Sequence, residues 1–181
     1  MKKLIFLLLI LALSACTDNS TSFVAFDAST NYSPKFYPII NNEASLNKTI
    51  SISKEIDGRI GGAIILNETF ENGVTLNYKL DFAKGSFEGT RNITIILDGD
   101  SFTGDYYPHG NFVKPAMLTI KVGHADLSGL VSEDDLKFVY VNENGEIEEM
   151  AKKNLMVNFN SNTIALINAE LPHFSRYGFT R

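Results

Sequence analysis

Apolar and polar residues alternate along most of the chain from Thr49 onward, which is the pattern of β-strands that bury one face. In the clearest run, from Val74 to Phe82, every second residue is apolar and the residues between are polar. Turn signals recur about every ten residues, and no helical period of useful length follows the N-terminus. The predicted strands are centred on residues 50–56, 63–66, 74–82, 93–97, 118–122, 136–141, 146–150, 155–159, 164–166 and 174–179. This pattern predicts an all-β fold, an antiparallel β-sandwich, with a barrel as the alternative.

The N-terminus is uniformly apolar instead of alternating. Lys2 and Lys3 precede an apolar run over residues 4–13, and residues 13–16 read Leu-Ser-Ala-Cys. Ten residues of helix span about 15 Å, half of the roughly 30 Å of bilayer hydrocarbon, so the run is too short to remain as a spanning helix. A buried N-terminal helix of a cytosolic domain is the alternative, and the lack of a polar face disfavours it. Residues 1–15 are therefore predicted to be a cleaved signal peptide.

This order of residues resembles the signal peptide and lipobox of bacterial lipoproteins, with Cys16 at the lipidated position. The resemblance implies that Cys16 becomes the first residue and carries a thioether-linked diacylglycerol and an acylated amine. Two or more acyl chains anchor a protein stably in a membrane. In the best-known sorting rule, an aspartate after the cysteine retains the protein in the inner membrane. Thr17 stands there instead, so we expect a cell-envelope lipoprotein in the outer rather than the inner membrane.

The composition divides the rest of the chain into two parts. Residues 16–47 form a linker rich in Ser, Thr and Asn that begins at the lipidated cysteine. Residues 48–181 hold the alternating pattern and are predicted to form the β-sandwich domain. Two apolar patches interrupt the linker, at residues 23–26 and 36–40, and they predict that its later part lies on the domain.

Charge and cysteine content narrow the classes of function. The 181 residues include 16 Lys and Arg against 21 Asp and Glu, and the formal net charge is −5. An acidic chain without a basic run argues against nucleic-acid binding and against electrostatic attraction to anionic lipids. One cysteine allows no internal disulfide. Stability must then come from packing, which thirteen Phe and seven Tyr favour.

Four segments of the domain share features of a known family. They are a Gly-Gly pair that opens a strand (61–62), Phe-Ala-Lys-Gly-Ser-Phe (82–87), a block ending in Lys-Pro-Ala-Met-Leu-Thr-Ile (106–120), and a close containing His-Phe-Ser-Arg-Tyr (171–179). Over about residues 56–181 they resemble the ZU5 family and its bacterial relatives. Tyr107 departs from that family, which often has glycine before the proline. The resemblance implies a β-sandwich with interaction or scaffold roles, without catalytic residues or cofactors of its own.

Asp98, Asp100 and Asp105 are the best candidates for metal ligands, because calcium prefers closely spaced carboxylate and carbonyl oxygens. A loop of the EF-hand type that starts at Asp98 would need glycine at its sixth place and glutamate at its twelfth, where Thr103 and His109 stand. A hairpin turn with solvated acids explains the same residues and is favoured. No metal site is therefore predicted.

His124, Asp126 and Ser128 alternate in the sequence, and these three residue types form catalytic triads. Alternate residues on a strand stand about 6.6 Å apart, too far for the roughly 3 Å contacts of a triad. A strand end that runs into a polar loop is favoured instead. His109 and His173 lack a third zinc ligand at recognisable spacing. His173 is expected to make a hydrogen bond that holds the last strand.

Four glutamates surround a predicted hairpin turn at residues 144–145: Glu143, Glu146, Glu148 and Glu149. Paired carboxylates catalyse glycoside hydrolysis, but hairpins also carry solvated charges, and we favour the second explanation. No catalytic residue is predicted.

Tyr106, Tyr107 and Phe112 cluster near a predicted turn, and exposed aromatic rings are typical of glycan-binding sandwiches. The family-like block places Phe112 in the core, so packing is its favoured role. Tyr106 and Tyr107 are the candidate ligand-binding residues.

The sequence as a whole predicts a lipid-anchored envelope protein whose β-sandwich is a non-enzymatic interaction or structural module. The alternative is a carbohydrate-binding module of a system that handles envelope polysaccharide. The expected partners are the membrane, reached through the lipid on Cys16, and an envelope protein or the cell wall. Nucleic acid is not an expected partner.

Overall fold

A computed structural model describes residues 35–40, 48–142, 144–150 and 154–181. Cys16, the signal peptide and the apolar patch at residues 23–26 lie outside the described residues. Contacts place the described residues in one compact unit, Tyr32–Arg181. Within them, no helix is long and apolar enough to cross a membrane.

The described chain is antiparallel β-structure, which confirms the predicted fold class. A short 3-10 helix, Glu133–Asp135, follows Ser132. The strands are β1 (Thr49–Asp57), β2 (Gly62–Thr69), β3 (Thr75–Phe82), β4 (Thr90–Asp98), β5 (Gly104–Gly123), β6 (Lys137–Val141), β7 (Ile147–Glu149), β8 (Leu155–Asn158) and β9 (Thr163–Thr180).

Two long strands, β5 and β9, organise the sheet because each pairs with different neighbours along its length. β3 pairs with residues 117–123 of β5, whereas β4 pairs with residues 104–107. In β9, the first residues pair with β8 and the last with β6. β5 and β9 are therefore shared by two parts of the sheet. One part also contains β2, β3 and β8, and the other also contains β1, β4, β6 and β7.

β5 bends where its register with β9 shifts, between Asp105 and Gly110 and again between Asn111 and Ala116. Irregularities of this kind bend a strand and increase its twist. Pro115 lies in the second shift, inside β5, and not at a strand start or sheet edge as its chemistry suggests. The ladder is interrupted there, so the missing N–H of the proline removes no ladder bond.

The core follows the alternation seen in the sequence. In β3 and β4 every second side chain is buried, and Ile93, Ile95 and Leu97 are fully enclosed. The segment at residues 36–40 also enters the core: Tyr37, Ile39 and Ile40 are buried, and the Tyr37 N–H donates to the Phe179 carbonyl. This confirms that the second apolar patch lies on the domain. Each buried isoleucine contributes about 1.5–3 kcal/mol of hydrophobic stabilisation.

The strands run between two opposite ends of the fold. The basic end comprises residues 57–62, 83–91 and 112–115, where β1 meets β2, β3 meets β4 and β5 bends. The acidic end comprises residues 36–40, 98–103 and 124–135. β3 connects them, since residue 75 pairs with residue 123 and residue 82 with residue 62. Its eight residues separate the two ends by about 25 Å.

Candidate functional site

Three segments that are distant in sequence meet at the basic end through backbone hydrogen bonds. The Gly58 N–H donates to the Gly89 carbonyl at 2.9 Å, and the Gly85 N–H donates to the Gly58 carbonyl at 2.8 Å. The bend of β5 joins them, because the Val113 N–H donates to the Ser86 carbonyl at 2.8 Å. These bonds hold the segments together without using a charged side chain.

Glycine is required where these segments approach most closely. A Cβ atom on Gly58 would lie 2.3 Å from the Phe87 carbonyl oxygen, and one on Gly61 would lie 2.5 Å from the Phe82 carbonyl oxygen. Gly61 also has a φ of +88°, which side chains rarely adopt. The Gly-Gly pair at residues 61–62 therefore opens β2 as the sequence predicts, with the first glycine at the contact and the second beginning the strand.

An open pocket of about 570 Å³ lies between the three segments. Its lining includes Arg59, Lys84, Phe87, Glu88, Val113 and Lys114. Three of these side chains are cationic and one is a carboxylate, so the pocket is locally positive in a chain of net negative charge.

The three cationic side chains differ in their hydrogen-bond and ion-pair partners. Arg59 donates to both carboxylate oxygens of Asp57, from Nε at 3.0 Å and from Nη2 at 2.6 Å. That hydrogen bonding lowers the pKa of Asp57. Lys114 Nζ donates to the Lys84 carbonyl at 2.7 Å. The Lys84 ammonium has no carboxylate partner among the residues that the structure covers, which leaves it available to an incoming anion.

The floor of the pocket is aromatic and its rim is aliphatic. Phe87 is buried and packs edge-on against Phe82, and the Arg91 guanidinium lies 4.7 Å from the centre of the Phe87 ring. On the outside, Val113 is 78% exposed and Ile60, in the neighbouring turn, is 74% exposed. The basic end thus presents two bare aliphatic side chains beside a group of cations.

Tyr106 and Tyr107 do not lie together on one surface. Tyr106 is 1% exposed and packs on Phe174 and Tyr177, and burial raises the pKa of its hydroxyl. Tyr107 is 38% exposed, and its ring stacks on His109 with centres 4.8 Å apart. Successive residues of a strand point to opposite faces, so only Tyr107 offers a ring to an external ligand.

Two of the acids considered as calcium ligands, Asp98 and Asp105, perform other tasks. Asp98 Oδ1 accepts from the Asp100 N–H, the Ser101 N–H and the Ser101 hydroxyl, at 3.1, 2.8 and 2.7 Å. This is the favoured hairpin turn between β4 and β5. Asp105 instead forms a two-bond ion pair with Arg176, at 2.7 and 3.0 Å. No group of three metal-ligating side chains occurs among the residues described.

His124, Asp126 and Ser128 lie beyond the end of β5 in a loop, as favoured from the sequence. Asp126 Oδ1 accepts from the Ser128 N–H at 2.9 Å, and His124 has a positive φ of 58°. The hydrogen bond and the positive φ are both local features of a turn. The loop is tied to the rest of the acidic end, because the Asp126 N–H donates to the Ile39 carbonyl.

His173 lies within β9 beside two tyrosines. Its Nδ1 is 3.3 Å from the Tyr177 hydroxyl, which also donates to the His173 carbonyl at 2.9 Å. Its ring packs edge-on against Tyr140 at 4.7 Å, and burial lowers its pKa. His173 therefore has a hydrogen-bond partner, but the partner lies in the same strand, so the expectation that this bond holds the last strand is wrong.

The glutamates near the Asn-Gly turn are solvated. Glu146, Glu148 and Glu149 are exposed, and Glu149 pairs with Lys137 at 3.0 Å. Glu143 lies outside the described residues. The turn itself forms the predicted hairpin, with β6 paired to β7 across it.

Sequence reasoning missed the cationic group at the basic end because its members come from three separate segments and form no basic run. One signal was present: Lys84 and Arg59 stand beside turn glycines, where side chains at hairpin tips face solvent.

Comparisons with known proteins identify no relative. No family model matches the chain, and neither does any curated protein or any solved structure. The resemblances to ZU5 domains and to bacterial lipoproteins therefore stay predictions that rest on the residues quoted for them.

Proposed function

We propose that this chain is a lipid-anchored protein of the bacterial cell envelope, with a β-sandwich that acts as a non-enzymatic interaction module. The anchor is the lipid on Cys16, and the outer membrane is the favoured site. The ZU5-like segments support an interaction role, since domains of that family serve as interaction or scaffold units.

The observation that carries the interaction role is the basic end. Backbone hydrogen bonds join its three segments, the Lys84 ammonium has no carboxylate partner among the residues described, and two aliphatic side chains face solvent nearby. Exposed apolar side chains that are rimmed by polar residues mark surfaces that meet a partner. Exposed aliphatic side chains do not increase solubility, so the exposure of Ile60 and Val113 is better explained by binding.

The anchor is tested in cells that express the full chain. Metabolic labelling with a tagged fatty acid, followed by mass spectrometry of the N-terminal peptide, should find a diacylated Cys16 at the start of the mature protein. Cys16→Ser should abolish labelling and leave the signal peptide attached. An unmodified full-length chain in the cytosolic fraction of wild-type cells would refute the anchor.

The interaction role is tested by crosslinking in intact cells, with a photoreactive residue in place of Val113. The matched control carries it in place of Val131, an exposed valine at the acidic end. We expect crosslinks to an envelope component from residue 113 that are absent or much weaker from residue 131. Equal crosslinking from both positions would contradict a binding role of the basic end.

A carbohydrate-binding module is the second candidate, and the ring of Tyr107 stacked on His109 favours it. Flat exposed rings pack on the apolar faces of sugars. Glycan-array binding that is lost in Tyr107→Ala and kept in Phe159→Ala, an exposed aromatic on the turn between β8 and β9, would support this function. Tyr106→Ala is uninformative here because the buried ring belongs to the core. No glycan binding by the wild-type chain would remove the candidate.

A further inference from the structure

We propose that the basic end docks on an anionic phospholipid surface, with Ile60 and Val113 in the interfacial layer and Lys84, Lys114 and Arg59 beside the headgroup phosphates. This inference rests on the proposed function, because the lipid on Cys16 would hold the domain at such a surface. It adds an orientation: the acidic end would face away from the membrane.

The first argument is the pairing of two kinds of side chain at one place. Lysines near a membrane are attracted to anionic headgroups, and aliphatic side chains partition into the boundary between headgroups and acyl chains. Val113 lines the same pocket as Lys84 and Lys114, and Ile60 follows Arg59 in the adjacent turn. A soluble polyanion would engage the cations and leave both aliphatic side chains in water, so a lipid surface fits the whole group better.

The second argument concerns charge. Arg59 shares its charge with Asp57, and Glu88 is the carboxylate that faces the pocket, so the two lysines supply most of the attraction. The net charge of −5 argued against anionic lipids when the chain was treated as a whole. Screening changes this conclusion, because charges in physiological salt act over about 8 Å and the acidic end is about 25 Å away.

The third argument concerns the length of chain between the lipidated Cys16 and the domain. The described chain begins at Lys35, whose carbonyl accepts from the Thr180 hydroxyl beside the acidic end. Eighteen residues lie between Cys16 and Lys35, and a fully extended chain from one to the other spans at most about 65 Å. That exceeds the distance between the two ends, so the anchor and the basic end can occupy the same membrane.

The test uses the full-length chain with Cys16→Ser, which leaves an introduced cysteine as its only thiol. An environment-sensitive fluorophore is attached through Val113→Cys or, as the matched control, through Val131→Cys at the acidic end. Vesicles contain phosphatidylcholine with or without phosphatidylglycerol. We expect a blue shift of the emission at residue 113 that requires phosphatidylglycerol and decreases at high salt, with little change at residue 131. The apolar leader is present in both proteins and contributes equally.

Charge variants sharpen the result. Lys84→Gln with Lys114→Gln should weaken binding to anionic vesicles about twenty-fivefold, since each cation near such a surface contributes about fivefold. Lys48→Gln with Lys121→Gln changes the net charge equally and should leave binding within about twofold, because both lysines lie away from the basic end.

Two outcomes would overturn the proposal. One is an equal response at residues 113 and 131, which would mean that the leader attaches the chain without orienting the domain. The other is binding to anionic vesicles while the probe at residue 113 stays in water, which would indicate a site for polyanions only. Failure of lipidation at Cys16 in cells would refute the anchor and leave the vesicle result unaffected, so the two failures are distinguishable.

Discussion

The two ends of the domain build their turns in different ways. At the acidic end, side chains hold the backbone: Asp98 accepts three hydrogen bonds, and Asp135 accepts from the Val131 and Ser132 N–H groups at 2.7 and 2.8 Å. At the basic end, glycines and backbone bonds hold the turns, and the lysines have no part in them except the bond from Lys114 to the Lys84 carbonyl. Acidic side chains hold the turns at the first end, whereas at the second end Arg59 and Lys114 have partners and the Lys84 ammonium is free to bind.

The largest expected effect tests the glycine-built end. Gly61→Ala combines a left-handed φ with a Cβ contact of 2.5 Å to a carbonyl oxygen, and should lower the free energy of unfolding by about 3 kcal/mol. Gly73 has a similar φ of +82° with open space around it, so Gly73→Ala should lose only about 1 kcal/mol. Urea denaturation measures both. Similar losses in the two variants would show that close packing at Gly61 is unimportant.

The next effect tests the side-chain-built end. Asp98→Ala removes the acceptor of three hydrogen bonds and should lower the free energy of unfolding by about 2 kcal/mol. Glu88→Ala removes a carboxylate at the basic end and should change it by less than about 0.5 kcal/mol. Chemical denaturation of both variants compares acids at the two ends directly. A loss for Glu88→Ala as large as that for Asp98→Ala would remove the distinction.

A smaller effect depends on pH. Backbone hydrogen bonds from Ser132 and Val131 lower the pKa of Asp135 from its usual 3.8. Its stabilisation is therefore complete above that value and is lost as the pH falls through the lower folded-state pKa. Melting temperatures between about pH 5 and about pH 2.5 should fall less steeply for Asp135→Asn than for the wild type. A steeper fall in the variant would contradict the assignment.

The smallest effect concerns the cations themselves. Lys84→Gln should leave the free energy of unfolding unchanged within about 0.5 kcal/mol, because its ammonium holds no part of the described structure. Thermal unfolding of the variant beside the wild type is sufficient. A loss above about 1 kcal/mol would make Lys84 a structural residue and weaken the case for binding.

Local pattern predicted the parts of the fold that depend on neighbours in sequence. The alternation from Val74 to Phe82 became β3 with its expected buried face, and the Asn-Gly pair became the hairpin between β6 and β7. The apolar patch at residues 36–40 was correctly placed on the domain. In each case the signal lies within about ten residues, which is the range over which periodicity and turn chemistry act.

The continuity of the two long strands was not predictable in this way. Residues 107–115 show no alternation, because β5 bends there and its register with β9 shifts twice. The sequence pattern therefore showed a turn followed by a new strand. Pairing with β4 places Tyr106 opposite the buried Ile95 and Tyr107 opposite Thr94, so the choice between the two tyrosines needed the structure. The cationic pocket was hidden for a related reason, since only tertiary contacts bring Arg59, Lys84 and Lys114 together.

β5 and β9 belong to both parts of the sheet, so neither part can open fully without unpairing a strand that the other part also uses. Peeling away β3 or β4 exposes the same strand, and the same holds for β8 and β6 on the other side. Unfolding should consequently be one cooperative event, without a half-open intermediate. A mechanical force applied to either end of the domain is then resisted by β5 and β9 together, because both strands extend through the whole sheet.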